Sequence, residues 1–183
     1  MTAFTNCFYL FFASFSILSI ASFAALTAVF AQLAIPINPV PITLGTLAVL
    51  LAGGFLGKKY GTLSMLLYVL LGVLGIPVFS MMRSGFAALV GPSGGFIIGF
   101  IFMALIMGLT AELFGEHYGK LCIGGIIGTA ACYLLGIIWF VILTGKGIQS
   151  ALAVCVIPFL PGDAAKILIA SFLIKKYRKI VLK

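Results

Sequence analysis

Asp163 and Lys166 are the residues of this chain best equipped for chemistry. They stand three apart in Pro158-Phe-Leu-Pro-Gly-Asp-Ala-Ala-Lys166, a stretch that is otherwise apolar. On a helix, residues i and i+3 share a face, so the carboxylate and the ammonium become neighbours. An anionic or carbonyl-bearing ligand would serve the ammonium alongside Asp163. Ionisable groups at membrane depth are costly and face the protein interior or a water-filled site, which makes them functional candidates. Two blander readings stand beside this one. The charges can neutralise each other as a structural pair, because an unpaired buried charge is strongly destabilising. Asp163 can also cap a helix opened by Pro161-Gly162, where an acid suits the macrodipole; Lys166 in those same turns opposes the dipole and needs a partner.

The elements that must position this pair are membrane helices. The chain has 183 residues, 63% hydrophobic and only 8% charged, and apolar runs of about 20 residues recur along it, the length that crosses a hydrocarbon core. A soluble core of this size could not hide so much apolar surface. The alternation of a membrane barrel, in strands of about ten residues, is missing. The expectation is one all-α membrane domain over 1–183, a bundle of six spans near 8–33, 42–56, 61–75, 96–113, 121–143 and 163–177. Met1 to Cys7 lacks the basic start of a secretory signal, so the run after it is read as the first span. Lys58, Lys59, Lys120 and a basic tail at about 175–183 (Lys175, Lys176, Arg178, Lys179 and Lys183) fall on one face of such a bundle, and Arg83 and Lys146 on the other. The positive-inside rule then puts both termini in the cytoplasm, with the tail against anionic lipid headgroups.

Three irregular segments fall toward the opposite face. Ile35-Pro-Ile-Asn-Pro-Val-Pro41 loses helical donors to its prolines, residues 76–95 are glycine-rich, and Pro161-Gly-Asp163 forms a turn. Irregular backbone near membrane depth is tolerated where it is buried or lines a cavity, so these segments read as walls and a lid around one pocket, or else as ordinary exposed connections. Arg83, in the second segment, could meet a carboxylate bidentately or sit solvated at the surface. Ala21, Ala24, Ala25 and Ala28 form small-xxx-small pairs on the first span, fit for close helix packing within the chain or for docking another subunit. His117, near Glu112 and Glu116, is a lone histidine of a solvated turn rather than a metal site. Cys7, Cys122, Cys132 and Cys155 lack ligand spacing and behave as small hydrophobes. There is no phosphate-cradling Gly-x-x-x-x-Gly-Lys-Ser/Thr loop and no triad or metal constellation, so neither catalysis nor a cofactor is expected. The net charge of +8 is not interleaved with aromatics on a stripe, which argues against nucleic acid.

Taken in order, Pro39-Val-Pro-Ile-Thr-Leu44, Gly75-Ile-Pro-Val-Phe79 with Gly91-Pro-Ser-Gly-Gly95, and Pro161-Gly-Asp-Ala-Ala-Lys166 resemble the BioY family, the biotin-specific substrate-capture subunits of energy-coupling-factor transporters. The resemblance runs from about Ala21 through the sixth span. It implies a six-helix subunit that captures biotin at its outer face and works with a transmembrane coupling protein and two ATPases. It also implies that Asp163 and Lys166 are polar contacts to biotin, and that the docking stripe corresponds to Ala24 and Ala28. Biotin offers ureido N–H donors, a ureido carbonyl, an apolar thioether ring and a carboxylate. Asp163 could accept from an N–H, and Lys166 could donate to the carbonyl or the carboxylate. Phe79, Phe86 and Phe96 are aromatic candidates for an apolar pocket wall. The chain departs from the family pattern at Gly45, where many relatives carry Gln, at Ser80-Met-Met-Arg-Ser84, and at Ile97, where a basic residue sometimes stands. Arg83 could take over a polar contact there. Another vitamin or small carboxylate as ligand, or a non-transporting membrane scaffold, are the alternative functions.

Overall fold

The architecture is that of a computed structural model, which describes residues 2–37, 40–115 and 117–181, and of these the side chains between 16 and 180. The Cys7 side chain, Pro39, Glu116 and Lys183, named above, lie outside that set. Helix α1 (Thr2–Gln32) is followed by a two-residue ladder, β1 (Ala34–Ile35) against β2 (Ile42–Thr43), and then by α2 (Gly45–Val73). A 3₁₀ turn (Ser80–Met82) and the short α3 (Phe86–Val90) lead into α4 (Gly94–Phe114), α5 (Tyr118–Thr144), α6 (Ile148–Cys155) and α7 (Leu160–Val181). Helix α4 packs between α2 and α5, α1 lies on α2, and α7 closes against both α2 and α5.

The expected break between 56 and 61 is a reversal of the chain inside α2. Gly57 adopts φ 78° and ψ −178°, a conformation open to glycine and almost nothing else. A Cβ on Gly61 would lie 2.8 Å from the Cα of Gly53. Eight residues of straight helix rise about 12 Å, so that contact requires the two legs of α2 to run side by side. Glu112 caps the second leg, accepting from the Lys58 N–H at 2.9 Å and pairing with its ammonium at 3.4 Å. An anion at a helix N-terminus is favoured by the dipole, so this acid near the end of α4 has a structural post.

Two helices, α4 and α5, are each long and apolar enough to cross a membrane, and α6 with α7 makes a third such unit bent by 56°. Their outward residues, Leu109, Ile126, Leu134, Ile142 and Phe172 among them, are large, apolar and exposed. Only lipid covers such a surface favourably. The chain is a helical membrane protein. The bend falls at 156–159, where Pro158 cannot donate to a continuing helix. Helix α7 begins two residues before Gly162 rather than at Asp163, because proline is tolerated in a first turn. The segment expected to be irregular from 76 to 95 also contains a turn and a short helix of its own.

Candidate functional site

Asp163 and Lys166 meet as their spacing predicts, on the first turns of α7. They are 4% and 6% exposed, and the Lys166 Nζ donates to Asp163 Oδ1 at 2.7 Å. Other segments complete the cluster. Lys166 also donates to the Thr43 carbonyl at 2.7 Å and to Thr46 Oγ1 at 3.0 Å. The Thr46 hydroxyl in turn donates to Asp163 Oδ1 at 3.3 Å, and the Tyr133 phenol donates to Asp163 Oδ2 at 2.5 Å. All three donor positions of the ammonium are thus engaged, and both carboxylate oxygens accept. Buried charges persist only when paired and hydrogen-bonded in this way.

The proline-rich segment supplies one wall. Its prolines prevent helix, and the ladder of Ala34 with Thr43 and of Ile35 with Ile42 returns the chain so that the Thr43 carbonyl faces α7. Helix α4 supplies another. Phe96 is buried with its ring over Gly136 of α5, where any Cβ would stand 2.3 Å from the ring. The same ring meets Tyr133 edge-on, centroids 6.5 Å apart.

Between these walls lie two small adjoining cavities, of about 40 and 50 Å3. They share Val40, Pro41, Thr43, Phe96 and Phe100. The first reaches Thr46, Tyr133, Asp163 and Lys166, and the second reaches Tyr68, Ser80 and Ser93. The chamber is therefore mostly apolar, with the charged cluster at one end and Ser80 and Ser93 toward the other, the arrangement of a small-molecule site. A wider groove of about 340 Å3 lies between α5 and α7, beyond Tyr133 and Asp163. Its rim residues Ile126, Leu160 and Leu168 are exposed on the lipid-facing surface, so size alone does not make it the ligand site.

The other expected site residues divide. Phe96 lines the chamber. Phe79 is buried beside it, packed edge-on to Tyr68 with centroids 5.6 Å apart and seated over Gly72, but it does not line either cavity. Arg83 is exposed and outside the chamber; its carbonyl accepts the Phe79 N–H at 3.1 Å. Phe86 is exposed as well. On α1, Ala24 is 1% exposed and packed in the core, and Ala28 is half-buried against it, whereas Ala21 and Ala25 are exposed. Tyr133 and Thr46 are the residues that sequence reasoning missed. Thr129 and Tyr133 stand at i and i+4 on one face of an apolar span, a polar pair that marks an inward surface.

The family's sequence model matches residues 6–183, almost the whole chain. This chain belongs to the BioY family. Among BioY relatives, the Thermotoga maritima "Biotin transporter BioY" is 39% identical over 153 residues, covering 83% of this chain and 89% of the relative. The Pyrococcus horikoshii "Probable biotin transporter BioY" is 40% identical over 139 residues, covering 75% and 80%. A crystal structure described as the S-component for biotin from an ECF-type ABC transporter superposes with a TM-score of 0.81. It shares 29% identity, and the match covers 90% of each chain.

Proposed function

We propose that this chain is a biotin-capturing S-component of an ECF-type transporter. One observation carries the reading: in a chain with the BioY pattern, a buried carboxylate and ammonium face a small, mostly apolar chamber. Asp163 accepts from a ureido N–H, and Lys166 donates to a ligand oxygen, either the ureido carbonyl or the carboxylate. Phe96 and Phe100 cover the thioether ring. Membership of a transporter family and a site built of anchors rather than reacting groups support transport, not catalysis. Cavities of 40 and 50 Å3 hold only a few waters each, at roughly 10–15 Å3 per water, so biotin enters when the covering segments move outward.

We read six crossings, by α1, the two legs of α2, α4, α5 and α7, with the chamber toward the outer face of the cytoplasmic membrane and both termini inside. The clustering of Lys58, Lys59, Lys120 and the 175–183 tail supports that orientation. Partners are a transmembrane coupling protein and two ATPases. Because Ala24 lies in the core, the docking stripe passes to Ala21 and Ala25, the small residues that α1 leaves exposed. Titration of the purified protein with radiolabelled biotin tests the ligand. Saturable, high-affinity binding is expected, and folded protein that binds no biotin would sink the reading. Competition with other vitamins and small carboxylates separates biotin from the alternatives.

A further inference from the structure

Gln32, the last residue of α1, uses both ends of its side-chain amide on a segment far from it in sequence. Its Nε2 lies 3.1 Å from the Phe79 carbonyl and 3.3 Å from those of Pro77 and Val78, with the Ala28 carbonyl at 3.4 Å. Its Oε1 accepts the Met82 N–H at 3.0 Å. Apart from the Ala28 carbonyl of its own helix, the partners of donor and acceptor therefore all lie in a single six-residue stretch, 77–82. That stretch roofs the chamber, since Ser80 lines the cavity together with Tyr68 and Phe96.

The stretch needs such a clamp. Met81 and Met82 adopt φ 62° and 56°, left-handed backbone that side-chain-bearing residues disfavour. Neither methionine recovers that cost by packing, because they are 48% and 68% exposed. The Tyr68 phenol donates to the Val78 carbonyl at 3.2 Å and the Phe79 N–H to the Arg83 carbonyl at 3.1 Å. These hold the start and the base of the turn, and leave the Met82 amide to Gln32.

We propose that Gln32 is a positioning residue for ligand retention: its amide holds the 77–82 roof down over the chamber and so sets how slowly the ligand leaves. The inference rests on the biotin reading for its ligand, but the roof can be observed without one. Q32M keeps length and volume and removes every hydrogen bond. Q32E keeps the acceptor for Met82 and turns a second oxygen toward four carbonyls, so it is expected to be the worse of the two. In purified protein, Q32M is expected to release radiolabelled biotin about tenfold faster, with an association rate within twofold of wild type. A general loss of folding would instead lower the active fraction without changing the dissociation rate of what remains. Hydrogen exchange on ligand-free protein supplies the independent measurement: the Met82 amide is expected to be protected in wild type and to exchange freely in Q32M while the helices keep their protection. Wild-type dissociation in Q32M, or unchanged Met82 protection, would overturn the proposal. Wild type that binds no biotin would overturn the biotin reading, and the exchange result would then decide on the roof clamp by itself.

Discussion

A double-mutant cycle on Asp163 and Lys166 separates the structural role of the pair from its role toward ligand. Asp163→Asn keeps the side-chain shape but leaves the Lys166 ammonium without a counter-charge, and Lys166→Met strands the carboxylate. Both side chains are below a tenth exposed, and they touch at 2.7 Å. Breaking a buried pair at one partner costs about 3–5 kcal/mol. Asn still accepts from the lysine through its amide oxygen, and the Thr43 carbonyl and Thr46 hydroxyl remain as acceptors, so Asp163→Asn is expected near the lower limit, about 3 kcal/mol. Lys166→Met leaves Asp163 with the Tyr133 and Thr46 hydroxyls, and a similar cost results. The double variant has no charge to strand, so its loss of stability is expected to fall short of the sum of the singles by about 2 kcal/mol or more, within the range of coupled neighbours. Thermal unfolding in detergent measures that coupling. Ligand binding is expected to behave oppositely. Hydrogen bonds to charged groups contribute about 1.5–3 kcal/mol each, and the double variant loses both charged partners, so biotin affinity should fall at least about a hundredfold even though stability recovers. A double variant that folds and binds biotin within threefold of wild type would refute the reasoning, and would leave the pair as a helix-capping ion pair alone.

Three further outcomes are expected from the same geometry. Tyr133→Phe removes the phenol that donates to Asp163 while keeping the ring against Phe96, so a loss of about 1.5–3 kcal/mol is expected in thermal unfolding, while the biotin affinity of the folded fraction is not expected to fall, because Asp163 Oδ2 is freed for the ligand N–H. Gly57→Ala forces a side chain into a glycine-only conformation and sets its Cβ 2.5 Å from Glu112 Oε1; a loss of about 2–3 kcal/mol is expected in thermal unfolding, with biotin affinity of the folded fraction unchanged. Ala25→Trp, on the exposed face of α1, is expected to leave biotin binding intact and abolish co-purification with the coupling protein, whereas Ala24→Trp overpacks the core and should lower the yield of folded protein; Ala25→Trp complexes that assemble normally would move the docking surface elsewhere.

How far the sequence could be read differs between local and distant features. Asp163 and Lys166 were legible because charge in apolar text is rare and because i,i+3 geometry is a property of any helix. The break at Gly57 was legible because glycine followed by two lysines interrupts an apolar run. Its consequence, Gly61 packing on Gly53, depends on the two legs folding back, which local pattern does not contain. The alanines of α1 show the same limit. Ala21, Ala24, Ala25 and Ala28 have the same composition and spacing logic, but they sit on different sides of the helix, and only the position of α2 makes Ala24 core and Ala25 surface. Arg83 was ambiguous for a related reason, since one charge fits a ligand contact and a solvated surface position alike. Its charge marks it as unusual, but its place at the end of the 3₁₀ turn leaves the side chain outside the chamber and gives only its carbonyl a structural role.

The residues that complete the site were hidden because they are ordinary. Thr46 and Tyr133 carry no charge, and threonine and tyrosine occur in membrane helices for many reasons. Their importance comes from where the ammonium and carboxylate end. Three donor positions on Lys166 need three acceptors, and the chain meets that need with a carboxylate of its own helix, a carbonyl of β2 and a hydroxyl of α2. Each comes from a different element, so the cluster forms only when those elements are already packed around α7. A ligand N–H that replaces a Thr46 or Tyr133 donor on Asp163 therefore competes with contacts that tie α7 to α2 and α5. Binding and the packing of α7 become linked through the same four polar groups, and the double-mutant cycle measures both ends of that link.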